Sequence, residues 1–214
     1  MRIPRAAGTL RTMWLRRTYP FVSFGKGSWA HYSFHVDRAS ARFISIGENV
    51  ALARGARLDA CPAPGTDGPV LIVEGGCGVQ RECVISARFR IHVERNVIFG
   101  PSVVVMDHSD AEGDAISAAD GRRAASGGAI RIEEGCWIGF GSRIVCEEGE
   151  LVIGRNSVLG ANSVITGSVP PYSVVMGNPP TIVRQYDTAQ GKWVLGSIRR
   201  GDGPEAPANR SALS

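Results

Sequence analysis

The sequence predicts a mainly β protein, a parallel solenoid of six-residue units with three short strands to each coil. Three recurrences predict it. A large apolar residue returns every six positions, Gly or Asn stands at the fourth place of most units, and a small or medium residue stands at the fifth. Composition agrees, since the 214 residues include 27 glycines but only 7% aromatics, which suits tight corners around a slim core. The length fits one domain with a substantial core.

Residues 1–42 precede the repeat. Arg2, Arg5, Arg11, Arg16 and Arg17 all come before the first acidic residue, Asp37, and by themselves exceed the net charge of +4. Leu10, Met13, Trp14 and Leu15 lie between these arginines. The segment is expected to be an amphipathic helix. It either packs its apolar side on the domain and leaves the arginines in water, or rests on anionic lipid at the inner membrane face. No apolar run is long enough to span a bilayer, and no secretory signal is recognisable, so a cytoplasmic protein is expected. No motif for nucleic acid accompanies the charge.

The repeat occupies 43–184. Read in sixes it gives IGENVA from Ile46, LARGAR from Leu52, VEGGCG from Val73 and VQRECV from Val79. After a two-residue slip come VERNVI from Val93 and FGPSVV from Phe99. IEEGCW from Ile132, IGFGSR from Ile138, IGRNSV from Ile153 and LGANSV from Leu159 follow. Asn49, Gly55, Gly76, Asn96, Gly135, Gly141, Asn156 and Asn162 hold the fourth place, and both residue types tolerate the positive φ of a tight corner. The fifth residue and the next first residue are two apart, so they share one face of a strand. Facing inward, one large and one small side chain per side fill a narrow core that only stacked coils can bury. A 3.6-residue helix does not fit this period.

Three stretches interrupt the ladder: 59–69, rich in Pro and Gly; the longer 107–129; and the short 146–150. Loops that leave a regular stack commonly form its binding surface. The extension 185–214 follows, and from about Gly201 its composition is that of disordered chain. Cys77, Cys83 and Cys136 fall at the inward small position, Cys61 and Cys146 outside it. Five cysteines without paired spacing read as reduced and structural. Of the four histidines, His31 and His35 flank the first coil and His92 points outward. His108 stands where the ladder opens into the longest loop, beside Asp107 and Asp110, and is the candidate for chemistry.

The hexads resemble those of the hexapeptide-repeat acyltransferase superfamily. The segments VVVMDHSD, CWIGFGSRIV and VLGANSVITGSVPPYSVVMGNPPTIVR are similar to the active-site, W-I-G and final-coil segments of the maltose/galactoside and the capsule and exopolysaccharide O-acetyltransferases. The resemblance implies a left-handed parallel β-helix, although connections between parallel strands are otherwise nearly always right-handed. It implies a homotrimer with active sites between subunits, acetyl-CoA as acyl donor, and no metal. His108 would be the general base that takes the proton of an acceptor hydroxyl, with Asp107 or Asp110 orienting the ring. Backbone amides around Gly139, Phe140 and Gly141 would meet the oxyanion. Ala161, Thr166, Asn178, Pro179 and Arg184 would contact coenzyme A. Trp137 would wall the acceptor sugar or pack on a neighbouring subunit, and Arg122 and Arg123 would supplement the site from the long loop.

The chain departs from those relatives at four places. Gly167 and Thr181 replace basic residues, Phe140 stands where some carry a hydroxyl residue after W-I-G, and Asp110 stands where a second histidine is frequent. The leading expectation is an O-acetyltransferase of a sugar or glycan precursor in polysaccharide biosynthesis. Transfer to an amino sugar is a close variant, and a β-helical scaffold without activity is the non-enzymatic reading. A zinc trimer like the gamma-class carbonic anhydrases needs more histidines than the two inside the repeat.

Overall fold

Left-handed residues at regular intervals turn the chain through one side of a triangular prism at a time. In the computed structural model, which describes residues 5–108, 127–187 and 190–195, all eight Gly and Asn corner residues have φ between 55° and 77°. Glu82 and Ser102, the fourth residues of the two remaining hexads, adopt the same conformation at 58°. The corner is therefore imposed by the coil even where the residue type disfavours it.

After helix α1 (Arg5–Thr18), the first coil is built from β1 (Ser23–Phe24), β2 (Trp29–Ala30) and β3 (His35–Val36), followed by the short α2 (Arg38–Ala41). The second coil is β4 (Ile44–Ile46), β5 (Ala51–Leu52) and β6 (Arg57–Ala60). The third is β7 (Leu71–Val73), β8 (Gly78–Val79) and β9 (Val84–Ala87). Then come β10 (Arg90–Val93), β11 (Ile98–Phe99) and β12 (Val104–Met106), and, beyond the long loop, β13 (Gly128–Ile132), β14 (Trp137–Ile138) and β15 (Arg143–Val145). The last full coil is β16 (Gly149–Ile153), β17 (Val158–Leu159) and β18 (Val164–Ile165). Corresponding strands stack in parallel into three sheets, one per side of the prism. The second sheet continues through β19 (Ser173–Met176) and is closed by an antiparallel pair, β20 (Thr181–Asp187) and β21 (Lys192–Leu195).

The boundaries differ from the sequence expectation. The stack begins at Ser23 rather than at residue 43, because β1 to β3 pair with β4 to β6 in all three sheets. Parallel stacking ends at β19, and Lys192–Leu195, inside the expected extension, is a strand. The first interruption starts after Ala60, because Asp59 and Ala60 belong to β6; the second ends by Gly128 and the third by Gly149. The tail from 201 lies outside the described residues.

Every first- and fifth-place residue of the ten hexads is at most 1% exposed. Small inward positions also serve the backbone. The Cys83 thiol donates to the Gly100 carbonyl at 3.0 Å, and the Ser142 hydroxyl donates to Gly160 O at 2.8 Å. Cysteine and serine thus fill one role, tying a coil to the corner of the next. Burial pushes the thiols of Cys77, Cys83 and Cys136 up to about 11, so they stay protonated.

Along the edge between the first and second sheets, the left-handed position alternates Gly27, Asn49, Gly76, Asn96, Gly135, Asn156. A Cβ on Gly76 would lie 2.3 Å from Asn96 Oδ1, and one on Gly135 would lie 2.4 Å from Asn156 Oδ1. Each asparagine side chain occupies the space its neighbouring glycine leaves.

Helix α1 meets the uncovered edge of β2. Thr12 Oγ1 accepts from Ala30 N at 3.0 Å, and Leu15 is fully buried. Of the apolar residues between the arginines, only Leu15 faces the domain, whereas Leu10, Met13 and Trp14 are exposed.

Candidate active site

The site is built at one corner, where the third sheet turns into the first. β12 ends at Met106, and Asp107 and His108 follow at the mouth of the long loop. His108 forms an antiparallel bridge to Gly127, and Gly128 N donates to Asp107 O at 2.9 Å, so the loop is pinched at its neck. Gly127 is required by close approach, because a Cβ there would lie 2.4 Å from Asp107 O and 2.2 Å from the Phe89 ring.

Asp107 is fully buried, and its carboxylate is satisfied on both sides. Oδ1 accepts from Arg88 N at 2.8 Å and Oδ2 from Phe89 N at 2.9 Å. Oδ1 also faces His108 Nδ1 at 2.9 Å. Two backbone amides from the neighbouring coil therefore fix the carboxylate, and the carboxylate fixes the imidazole. An Nδ1–H donated to Asp107 makes Nε2 the lone-pair nitrogen, the form a general base needs. His108 itself is only 7% exposed. Cys146 follows β15 at the same corner, and its amide donates to Met106 O at 3.0 Å. Burial first, then the nearby charges of Asp107 and Glu148, pushes its thiol up, which disfavours a thiolate nucleophile.

Of the two carboxylates considered for orienting His108, Asp107 is seen in contact with its ring. Asp110, Arg122 and Arg123 lie outside the described residues. Phe89, 41% exposed, and Arg88 stand beside the site and were not anticipated. Their signal was the two-residue slip between Val84 and Val93, which marks an irregular corner in the coil next to His108. His92 is elsewhere, bonded through Nε2 to Glu74 at 2.8 Å on the outer face of the first sheet. Among the described residues no three His, Cys, Asp or Glu side chains converge as a metal site.

Five of the remaining candidates lie along a different edge, where the second sheet turns into the third. Gly139, Phe140 and Gly141 form one corner there, and Ala161 and Asn178 belong to the next two, as Asn162 N to Phe140 O (2.8 Å) and Val164 N to Gly177 O (3.2 Å) show. Phe140, Ala161, Asn178 and Pro179 are exposed. Gly139 N donates to Leu159 O at 2.8 Å and Gly141 N to Pro101 O at 2.9 Å, which removes both as oxyanion donors. Among the described residues, the amides of Phe140 and Ala161 have no such inter-coil partner; they are about 5 Å apart by the strand spacing. Arg184 is exposed on β20 opposite Val174, and Trp137 is 60% exposed on the outer face of the second sheet. Thr166 follows β18 at the His108 corner, further along the stack. Within one chain, the width of the third sheet separates Gly141 from the His108 corner by roughly 16 Å, five residues of extended chain.

No family model matches the chain. In sequence it is 26% identical over 156 residues to WbbJ of Escherichia coli K12, which bears the name of a lipopolysaccharide biosynthesis O-acetyl transferase; the match covers 70% of this chain and 76% of WbbJ. A 60-residue stretch is 42% identical to the acetyltransferase-named SACOL2570 of Staphylococcus aureus, covering 28% of this chain and 29% of that protein. Among solved structures, the N-acyltransferase AntD from Bacillus cereus superposes with a TM-score of 0.65 at 18% identity, over 85% of this chain and 90% of AntD. A maltose O-acetyltransferase from Clostridium difficile 630 superposes with a TM-score of 0.53 at 22% identity, over 86% of each chain. The likenesses are thus to proteins named as acetyltransferases and acyltransferases. The fold is that of a left-handed parallel β-helix.

Proposed function

We propose that the chain transfers the acetyl group of acetyl-CoA to a hydroxyl of a sugar or glycan precursor, with His108 as general base. The observation that carries this is the buried Asp107–His108 pair, fixed by two backbone amides at the mouth of a loop. His108 Nε2 takes the proton of the acceptor hydroxyl as its oxygen attacks the thioester carbonyl. When the tetrahedral intermediate collapses, the C–S bond breaks, and the imidazolium returns the proton to the departing thiolate. The acceptor leaves as an acetyl ester and the donor as free coenzyme A thiol. Positioned proton removal of this kind contributes about 10²–10⁴-fold. WbbJ's name, coenzyme A bound to AntD, and the maltose enzyme support this donor and acceptor class.

The working unit is a homotrimer, and the separation of the two edges supports it. An oxyanion donor at Phe140 N and coenzyme A contacts at Ala161, Asn178, Pro179 and Arg184 reach His108 from a neighbouring copy. The outer face of the second sheet is an uncharged column from Trp29 through Ala51, Gly78, Ile98, Trp137 and Val158 to Val174. Ile98 and Trp137 are exposed in the single chain, and a second copy would cover them.

The test is a titration of purified protein with acetyl-CoA, with free thiol release followed against sugars and amino sugars, alongside His108→Ala. Binding by both proteins with turnover only by the wild type is expected. Turnover restricted to amines would replace O- with N-transfer. Absence of acetyl-CoA binding at millimolar concentration would leave a β-helical scaffold.

A further inference from the structure

We infer that the outward face of α1, with the aromatic segment after it, docks the protein on an anionic lipid surface. Gly8, Thr12 and Leu15 form the buried stripe of the helix. Its position is closely constrained, since a Cβ on Gly8 would lie 2.3 Å from the Trp29 ring. That stripe turns the opposite side outward, and there Leu10 is 69%, Met13 63% and Trp14 46% exposed. A row of rings, partly buried against the core, runs on from Trp14 to Tyr19 (5.3 Å), Phe21 (6.1 Å) and Phe24 (5.3 Å), with Val22 half exposed beside them. A contiguous apolar patch of this size on a fixed helix marks an interaction surface rather than scattered exposure.

Charge selects the partner. Residues 1–36 carry Arg2, Arg5, Arg11, Arg16, Arg17 and Lys26 and no acidic residue. The Arg11 guanidinium lies 4.6 Å from the Trp14 ring centre, and Arg16 and Arg38 lie over Phe24 and Tyr19. Two copies meeting through this face would set arginine against arginine, whereas anionic headgroups would complement the positive charge. Aromatic rings and arginines around an aliphatic ridge suit the boundary between headgroups and acyl chains. No helix among the described residues is long and apolar enough to cross a membrane, so the contact is one of lying on the surface.

The experiment is co-sedimentation of the full chain with phosphatidylcholine vesicles, with and without about one-third phosphatidylglycerol. Binding to the anionic vesicles is expected to be at least about tenfold tighter and to weaken as salt rises from about 0.1 M to 1 M. The triple variant Leu10→Ser, Met13→Ser, Trp14→Ser is expected to lose about tenfold or more in vesicle affinity with an unchanged thermal midpoint. Arg17→Gln is expected to lose about fivefold on anionic vesicles only. Equal partition to neutral and anionic vesicles, or no partition to either, overturns the inference. So does a triple variant that alters the sedimenting mass but binds vesicles like the wild type, since the face then belongs to a second copy. Acetyl-CoA titration of the same preparations separates this result from the proposed acetyl transfer.

Discussion

Replacing Asp107 by Asn removes one acceptor from a carboxylate that meets three donors in a fully buried position. The new amide has two placements. With its oxygen on the Arg88 and His108 side, the NH₂ opposes Phe89 N–H, and a buried amide loses its partner at a cost of about 1–3 kcal/mol. With the NH₂ on the other side, it opposes Arg88 N–H and turns His108 Nδ1 into an acceptor. The ring proton then sits on Nε2, where no base remains. Both placements lower stability by a similar amount; the second removes the base, and the first keeps the base but loses the carboxylate charge that stabilises the imidazolium. Asp107→Asn is therefore expected to reduce kcat about 10²–10⁴-fold and to bind acetyl-CoA normally. Steady-state thiol release, calorimetry and chemical denaturation on one preparation read the three quantities. Turnover within a few-fold of wild type would refute the orienting role of Asp107 and with it the tautomer argument for His108.

Stability predictions come from the coil. Phe99→Ala, at a fully buried core position, is expected to cost about 3–5 kcal/mol in urea denaturation. Glu82→Asn is expected to stabilise by about 1 kcal/mol, because Asn bears the left-handed corner with less strain; the exposed Arg54–Glu82 pair at 4.0 Å is too weak to offset it. The buried thiols give a pH dependence. In the unfolded chain they ionise near their ordinary value of 9.0, but in the fold they hold their protons to about 11. Their contribution is complete below pH 9 and is lost as pH rises through 11, so the urea midpoint should fall across that window, and less steeply in Cys83→Ala.

Much of the coil was legible because the hexad signature is local: a large inward residue, a left-handed fourth residue and a small fifth. The first coil escaped because the sizes in one of its units are inverted. Ala30 occupies the large place and Phe34 the small one, and both are buried. At the site, the interruption at His108 was visible, but the hold on Asp107 was not, since it depends on the Arg88–Phe89 corner of the neighbouring coil. The spent amides of Gly139 and Gly141 were equally hidden, since their acceptors, Leu159 O and Pro101 O, lie on adjacent coils. The two readings of the N-terminal segment turned on where Gly8 and Thr12 fall in α1, because small residues there let the helix approach β2 and turn its larger apolar residues outward.

The alternating glycines and asparagines along one edge give the stack a parity. A coil whose corner is Asn fits against one whose corner is Gly, and two of a kind leave either a steric overlap or an unfilled notch. Loss or gain of a single coil would bring like corners together along this edge, whereas exchange of an adjacent pair would keep the sequence of corners intact. From Gly27 to Asn156 the unit that keeps these corners in order is thus two coils, twice the unit by which the chain winds.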